Sequence, residues 1–269
     1  MKYVFFGTPD FAAIILEKLV KTGWLPTVVV CNPDKPVGRK QIITLPPTKV
    51  LALKYGIKVY QPEKLEVQKL KLEIGEIDFA IVVAYAKIIP KEILELPQLG
   101  FIAVHPSLLP KYRGSSPIQT AILDGEKETG VTLFLADEKV DHGKILAASR
   151  LPLEVKDNYE SLSKKLAESG GVLLIEILPK YLKNEITPLT QDESQATYTK
   201  KFVTEDAHVD LEKDNPINIE RKIRALNPEP GTWTIQNGKR MKILEAELTP
   251  ENKLKLKKIQ FEGKKPQRI

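Results

Sequence analysis

Cysteine and histidine are scarce in this 269-residue sequence, which has one cysteine, Cys31, and histidines at positions 105, 142 and 208. A single cysteine excludes an internal disulfide and a cysteine-based metal site. The three histidines also lack the His-x-x-x-His spacing that places two imidazoles on one face of a helix. We therefore expect a protein whose chemistry needs no metal.

Long apolar runs are missing as well. No segment approaches the roughly 20 apolar residues that a membrane-spanning helix requires. The apolar stretch in MKYVFFGTPDF is too short for a signal peptide, and no small-residue cleavage site follows it. We therefore expect a cytoplasmic protein with no membrane association.

The excess of positive charge lies in one part of the chain. The chain has 41 Lys and Arg and 35 Asp and Glu. Residues 239–269 contain 10 of the basic residues and 4 Glu. The first 238 residues therefore carry 31 basic and 31 acidic residues and are neutral. Such a basic segment is either a solvated surface or a surface that faces the phosphates of a nucleic acid. Both interpretations stay open at this point.

The first 31 residues indicate a β-α-β unit. Residues 2–6 and 27–31 suit buried strands, and residues 11–21 carry apolar side chains at helical spacing. The pattern predicts an α/β fold with a Rossmann-like, mainly parallel sheet and helices on both faces. A dinucleotide site would need Gly-x-Gly-x-x-Gly after the first strand. Only Gly7 is present, so we reject a nicotinamide cofactor.

The stretch FIAVHPSLLPKYRGSSPIQT, residues 101–120, is the strongest candidate for a reactive site. An apolar strand ends at His105, because Pro106 cannot continue a ladder. Open α/β sheets bind ligands at the carboxyl ends of their strands. Histidine can hold or release a proton near neutral pH, so a histidine at this edge suits proton transfer.

Two motifs together carry a family resemblance. The first is Ala103-x-His105-x-Ser-Leu-Leu-Pro, and the second comprises Thr129-Gly-Val-Thr followed by Asp141-x-Gly143. They resemble, in order and distance, the formyltransferases that use 10-formyltetrahydrofolate, whose first motif is Asn-x-His-x-Ser-Leu-Leu-Pro. Ala103 therefore stands where the family has asparagine.

The resemblance implies roles for named residues. It implies catalysis by His105 with Asp141, and an oxyanion site weakened by Ala103, since alanine has no side-chain donor. The family commonly has glycine where Ala86 stands, so alanine would add strain if that position requires a positive φ. The residues implied to bind the folate co-substrate are Ser107, Leu108, Leu109, Pro110, Tyr85 and Ala86.

Two further segments resemble the methionyl-tRNA branch of this family. Residues 32–47, NPDKPVGRKQIITLPP, form a long basic insertion that the sugar-nucleotide branch usually lacks, and residues 221–233 resemble the start of that branch's C-terminal domain. The resemblance implies an initiator methionyl-tRNA substrate and a monomer. The residues expected to contact tRNA phosphates are Lys35, Arg39, Lys40 and Arg113. A plain surface loop is the alternative for the insertion.

The expected organisation is a catalytic domain at residues 1–187, a linker at 188–204, and a short OB-like β-barrel domain at 205–269, abbreviated relative to the family. Two other functions remain open. One is formylation of an amino sugar on a nucleotide, and the other is a folate- and tRNA-binding protein that Ala103 has disabled. A serine hydrolase is disfavoured, because Ser107 lacks a Gly-x-Ser-x-Gly elbow.

Overall fold

The structure is a computed structural model that describes residues 1–38 and 41–269. The chain divides into two compact units. The first comprises Met1–Arg113, Gly130–Leu151 and Lys164–Thr197, and the second comprises Gly114–Thr129, Pro152–Ser163 and Tyr198–Ile269. The domain boundaries expected from the sequence stay a prediction.

The elements follow a β-α alternation through most of the first unit. The strands are β1 Tyr3–Gly7, β2 Val28–Val30, β3 Lys35–Val37, β4 Ile42–Thr44, β5 Lys58–Tyr60, β6 Phe79–Val83, β7 Phe101–His105, β8 Arg113–Gly114, β9 Glu128–Leu135, β10 Ile145–Pro152, β11 Tyr198–Thr199, β12 Trp233–Gln236, β13 Lys239–Leu248, β14 Leu254–Phe261 and β15 Gln267–Arg268. The helices are α1 Asp10–Lys21, α2 Pro47–Lys54, α3 Val67–Ile74, α4 Lys91–Leu94, α5 Pro117–Asp124, α6 Tyr159–Leu182 and α7 Pro216–Leu226, with short 3-10 turns at Glu193–Gln195 and Thr204–Ala207.

A seven-stranded sheet organises the first unit, in the order β10-β9-β7-β6-β1-β2-β5. The pairs β1–β2, β1–β6, β2–β5 and β6–β7 are parallel, and β7–β9 is antiparallel. Every residue of β1 and β7 is buried, as expected for strands covered on both faces. The predicted Rossmann-like, mainly parallel sheet is confirmed.

Helices cover both faces of this sheet. On one face, Phe6 and Phe101 pack with Leu70 of α3 and Ile93 of α4. On the other face α6 lies so close that a Cβ added at Gly170 would stand 3.1 Å from Val104 Cγ1. Since successive strand residues point to opposite faces, Val104 faces α6, whereas Ala103 and His105 point to the other side.

The second unit contains a four-stranded antiparallel sheet in the order β12-β13-β14-β15. Its buried core joins the sheet to α7 through Ile219, Ile223, Met241, Ile243 and Ile259. The small C-terminal β domain is therefore confirmed, while its closure into an OB-like barrel stays a prediction.

The long basic insertion is not a structureless loop. β3 pairs antiparallel with β4, with Pro36 opposite Ile43. Ile42 and Ile43 are exposed on this hairpin. Across residues 1–38 and 41–269, no helix combines the length and apolar character needed to cross a membrane.

Candidate active site

His105 is the last residue of β7 and lies at the carboxyl edge of the parallel sheet. The register pairs Val83 of β6 with Val104 of β7, so Ala84 and His105 leave the sheet side by side. The predicted position of His105 at a strand end is confirmed. This edge is where open α/β sheets place their ligands.

The two residues expected to share the chemistry meet, although 36 positions separate them in the sequence. His105 Nδ1 lies 3.5 Å from Asp141 Oδ2, with the imidazole nearly buried and the carboxylate about one fifth exposed. His105 Nε2 lies 2.8 Å from the Tyr112 carbonyl oxygen. Because a carbonyl can only accept, Nε2 carries a hydrogen and Nδ1 is left to face the carboxylate.

Asp141 occupies a tight turn between β9 and β10. Its φ is +48°, a left-handed conformation that Asp and Asn adopt more readily than other non-glycine residues. Gly143, two residues later, lies so close to the Leu135 carbonyl that a Cβ would collide with the oxygen. The turn is thus packed against the end of β9, which explains the glycine of the second motif.

Ala103 lies two residues before His105 on the same strand face, and its side chain is nearly buried. It packs with the buried side chains of Leu109 and Phe134, and Val82, Ala136 and Ile145 are packed against this cluster. All six side chains are apolar, so none of them supplies a hydrogen-bond donor in place of a missing asparagine amide.

The Ser-Leu-Leu-Pro loop is held by a hydrogen bond of Ser107 and by Thr132 of β9. Ser107 Oγ donates to the Lys111 carbonyl at 2.6 Å, and Thr132 Oγ1 donates to the Ser107 carbonyl at 2.7 Å. The Leu109 N–H donates to Thr132 Oγ1 at 3.1 Å. Ser107 is fully buried and its hydroxyl hydrogen is engaged, which disfavours a nucleophilic role. The peptide before Pro110 is cis.

The turn after β6 differs from the expectation in one respect. The residue with a positive φ is Ala84, at +46°, and not Ala86. The strain expected at Ala86 is therefore found two residues earlier. Tyr85 between them is buried, its hydroxyl finds no hydrogen-bond partner among residues 1–38 and 41–269, and burial raises its pKa to about 12.

Two family models cover most of the chain. A model described as formyl transferase matches residues 1–178, and one described as formyl transferase, C-terminal domain, matches residues 201–255. The chain belongs to the formyl transferase family. A methionyl-tRNA formyltransferase of Halalkalibacterium halodurans is 44% identical over 249 residues, which cover 92% of this chain and 78% of that protein.

Solved structures of formyltransferases share the fold. A methionyl-tRNA formyltransferase from Clostridium thermocellum superposes with a TM-score of 0.66 at 19% identity, covering 97% of this chain and 98% of that one. An N-formyltransferase from Helicobacter canadensis, in complex with folinic acid and dTDP-3-aminofucose, has a TM-score of 0.67 at 23% identity, covering 93% of this chain and 88% of that one. At these identities the likeness establishes the architecture alone.

The residues expected to contact tRNA have different surroundings. Lys35 is exposed on the β3–β4 hairpin. Arg39 and Lys40 lie outside the described residues. Arg113 is fully buried, and its guanidinium donates to both Glu193 carboxylate oxygens, at 3.0 and 2.6 Å. A phosphate contact by Arg113 would therefore require Glu193 to leave.

The sequence interpretation missed a group of polar residues near the site. Gln191 Nε2 donates to the carbonyls of Asp141 and Gly143, and Thr197 Oγ1 accepts from the Tyr112 N–H. These residues lie in a polar stretch that was expected to be a linker. Its sequence carries no periodic signal, so a single sequence offered no means of finding these contacts.

Metal ligands are not grouped in the described parts of the chain. No cluster of three or more His, Cys, Asp or Glu side chains there is placed to bind a metal ion. His142 instead interacts with carboxylates, with Nδ1 at 2.7 Å from Asp137 Oδ2 and Nε2 at 3.5 Å from Glu193 Oε1.

Proposed function

We propose that this formyl transferase moves the formyl group of 10-formyltetrahydrofolate to the α-amine of methionine carried by initiator tRNA. The meeting of His105 Nδ1 and Asp141 Oδ2 at the carboxyl edge of the sheet is the observation that carries the proposal. The 44% identity to a methionyl-tRNA formyltransferase over 92% of the chain favours this acceptor over an amino sugar.

The geometry suggests how protons move in this reaction. The amine nitrogen bonds to the formyl carbon, the bond from that carbon to the folate nitrogen breaks, and the folate nitrogen gains a proton. His105 Nε2–H is engaged with Tyr112 O, so Nδ1 is the nitrogen that accepts the proton lost by the amine. The Asp141 carboxylate stabilises the imidazolium that forms.

The surroundings of Ala103 suit part of a pteridine site. The nearly buried apolar cluster of Ala103, Leu109 and Phe134 would form the floor beneath a flat ring, and the exposed turn at Ala84 and Ala86 offers backbone hydrogen-bonding groups. We propose that these two surfaces hold the folate, with the Ser107–Pro110 loop forming the wall between them and His105.

Ala103 should make this enzyme slow. Formyl transfer passes through a tetrahedral intermediate whose oxygen carries negative charge, and the family's asparagine at this position donates to that oxygen. Loss of one such donor typically costs about 10²–10³ in rate. Binding of folate and tRNA does not depend on that donor, so both should persist.

Two basic segments, each taken within its own unit, are proposed to contact tRNA: the β3–β4 hairpin of the first unit and residues 239–269 of the second. Lys35 is exposed on the hairpin beside the apolar side chains of Ile42 and Ile43. Lysines bind the phosphates of a nucleic acid without reading its sequence. Such contacts would add to the affinity for tRNA without selecting its sequence.

The test is a formylation assay on charged initiator tRNA, run in parallel on an amino-sugar nucleotide, with the parent chain and Ala103→Asn. We expect slow transfer to methionyl-tRNA by the parent and a rise in kcat of about 10²-fold in Ala103→Asn. Transfer to the sugar alone would favour the sugar-nucleotide alternative. No transfer by either protein, with folate and tRNA still bound, would identify a binding protein.

Ala103→Gln is the matched control for the added amide. It brings the same chemical group on a side chain one methylene longer, so the donor cannot reach the same point. Equal rates for the two variants would mean that the position of the amide does not matter and that residue 103 does not face the reacting oxygen.

A further inference from the structure

A segment of polar residues passes across the first unit next to the catalytic pair. We call residues 189–197 the strap. It begins with a two-way backbone bridge, in which Leu189 and Ile145 exchange N–H···O bonds of 2.8 Å. It ends at Thr197, whose own N–H donates to the Pro110 carbonyl at 3.3 Å. One end of the strap is thereby tied to the first residue of β10, just after the Asp141 turn, and the other to Pro110 of the Ser-Leu-Leu-Pro loop.

The first contact of the strap fixes the Asp141 turn. Gln191 is nearly buried, and both hydrogens of its amide are used, one to the Asp141 carbonyl at 2.9 Å and one to the Gly143 carbonyl at 2.8 Å. The amide thus bridges the two sides of a turn whose φ at Asp141 is +48°. A residue in this conformation stays there only when its surroundings hold it.

The orientation of that amide is itself determined. Gln191 Oε1 accepts from Arg113 Nε at 3.1 Å and from Nη2 at 2.7 Å. A guanidinium only donates and a carbonyl only accepts, so the oxygen must face Arg113 and the nitrogen must face the turn. Glu193 neutralises the buried guanidinium through two further bonds, which holds Arg113 in place to orient Gln191.

The second contact of the strap fixes the carbonyl that holds His105. Thr197 Oγ1 accepts the Tyr112 N–H at 2.8 Å, and the Thr197 carbonyl accepts the Arg113 N–H at 2.8 Å. These hydrogen bonds fix the peptide groups on both sides of Tyr112, which has a φ of +61°. The carbonyl of Tyr112 is consequently aimed at His105 Nε2.

We propose that Gln191 and Thr197 are positioning residues for formyl transfer: Gln191 sets the carboxylate of Asp141, and Thr197 sets the ring orientation and tautomer of His105. The expected fall in kcat rests on the proposed function, whereas the expected change at the His105 ring does not. Neither residue touches the substrates; each acts through a group that it holds. A displacement of about 1 Å in such a pair can lower a rate by about 10²-fold.

Gln191→Glu is the sharpest test of the first contact. It keeps the shape and the oxygen that faces Arg113, but it replaces the two N–H donors with a carboxylate oxygen facing two carbonyls. We expect kcat to fall about 10- to 100-fold with little change in the KM for folate. Gln195→Glu is the matched control, since Gln195 lies exposed on the same strap and its amide donates to Asp192.

The second contact is tested with Thr197→Val and Thr197→Ser. Valine keeps the shape and removes the acceptor of the Tyr112 N–H, whereas serine keeps the acceptor. We expect kcat to fall in the valine variant and to return in the serine variant. The two variants also keep the proposal testable if Gln191→Glu fails to fold.

A spectroscopic readout separates positioning from general stability. The chain has three histidines, so the imidazole nitrogens can be followed by ¹⁵N NMR, with His105 identified by its loss in His105→Asn. We expect the His105 ring signals to shift in Gln191→Glu and Thr197→Val and to match the parent in Gln195→Glu and Thr197→Ser.

The outcomes distinguish this inference from the proposed function. Kinetics are measured in the parent and in the Ala103→Asn background. Absence of formyl transfer in both would refute the proposed function, while the His105 signals would still decide the positioning roles. Unchanged His105 signals in Gln191→Glu and Thr197→Val overturn the inference, whether or not kcat falls, because a rate lost without a change at His105 arises elsewhere.

Discussion

At the scale of single residues, Asp141 combines two requirements that different substitutions can separate. Its carboxylate lies 3.5 Å from His105 Nδ1, and its backbone has a φ of +48°. Asparagine adopts the same backbone conformation but carries no charge, whereas alanine satisfies neither requirement. The charge and the backbone can therefore be tested independently at one position.

We expect Asp141→Asn to unfold at the same denaturant concentration as the parent, within about 0.5 kcal/mol, and to lose about 10²-fold or more in kcat. Asp141→Ala should lose activity similarly and also about 1 kcal/mol of unfolding free energy, because alanine is strained in the left-handed region. Urea unfolding and formylation kinetics measure the two effects. Full activity in Asp141→Asn would remove the carboxylate from the mechanism.

Ala84 shows how a single position limits inference from sequence. The family commonly has glycine at the position of Ala86, so a positive φ was considered there. The left-handed residue is Ala84, which directly follows β6 and leaves the sheet beside His105. An alanine in the left-handed region gives no signal in a sequence, since glycine, asparagine and aspartate are the residues whose presence indicates such a conformation.

At the scale of elements, the strap is held partly by charge, and its attachment should depend on pH. The hydrogen bonds from Arg113 lower the pKa of Glu193 below its ordinary value. Because the folded-state pKa is the lower one, this contact stabilises the fold above the ordinary glutamate pKa of about 4.3, and the contribution is lost as pH falls through the folded-state value.

Glu193→Gln should therefore be less stable than the parent at pH 7, and the difference should shrink as the pH is lowered from about 5 to 3. Urea unfolding at a series of pH values measures it. If the free energy of unfolding changes equally with pH in the two proteins between about pH 5 and pH 3, Arg113 does not bind the ionised form of Glu193 selectively.

The sheet and the strap differ in how well the sequence predicts them. β1, β6 and β7 are short apolar runs, and β7 is followed by a proline, so their nature as buried strands follows from local pattern. The contacts of Gln191 reach residues 48, 50 and 78 positions away. Nothing in a polar loop encodes such distant partners, so the meeting of His105 and Asp141 could be predicted from motifs and the contacts of Gln191 could not.

Helix α6 offers a second prediction at this scale. A Cβ at Gly171 would meet Lys18 Cδ at 2.7 Å, which can move away with the flexible side chain, and Lys18 Cβ at 3.2 Å, which has to yield by a few tenths of an ångström. A Cβ at Gly170 would stand 3.1 Å from Val104 Cγ1 and 3.3 Å from Val131 Cγ1, both on buried, stiff side chains.

We expect Gly171→Ala to gain about 0.5–1 kcal/mol of unfolding free energy from its higher helix propensity. Gly170→Ala should gain less or lose stability, because the same propensity is offset by crowding against β7. Thermal unfolding of the two variants makes the comparison. A larger gain for Gly170→Ala would mean that α6 does not pack on the sheet as closely as the two valines indicate.

At the scale of the whole molecule, the excess charge belongs to a folded element. Residues 239–269 carry 10 Lys and Arg, and the same segment supplies Met241, Ile243 and Ile259 to the buried core of the second unit. Deleting this segment would remove that core along with the charge. Two of its lysines are also engaged, since Lys257 pairs with Glu247 at 2.6 Å and Lys258 with Glu245 at 3.3 Å.

Replacing exposed lysines is therefore the cleaner experiment on tRNA binding. Lys239, Lys253 and Lys265 are exposed in this segment, and changing all three to glutamine leaves the core intact. Each phosphate contact adds about 0.7–0.9 to the slope of log K against log salt, so the slope should flatten by about 2 to 3 if all three bind phosphates. Filter binding of initiator tRNA between 50 and 200 mM salt measures it.

The control is a triple replacement of Lys2, Lys71 and Lys183, which are equally exposed but lie toward the amino-terminal ends of the parallel strands, away from His105. It changes the net charge by the same amount, so it corrects for long-range attraction between a basic protein and RNA. Equal flattening by both triple variants would assign the effect to net charge alone. A parent-like slope in the Lys239, Lys253 and Lys265 variant would make this basic segment a solvated surface and leave the β3–β4 hairpin as the proposed tRNA contact.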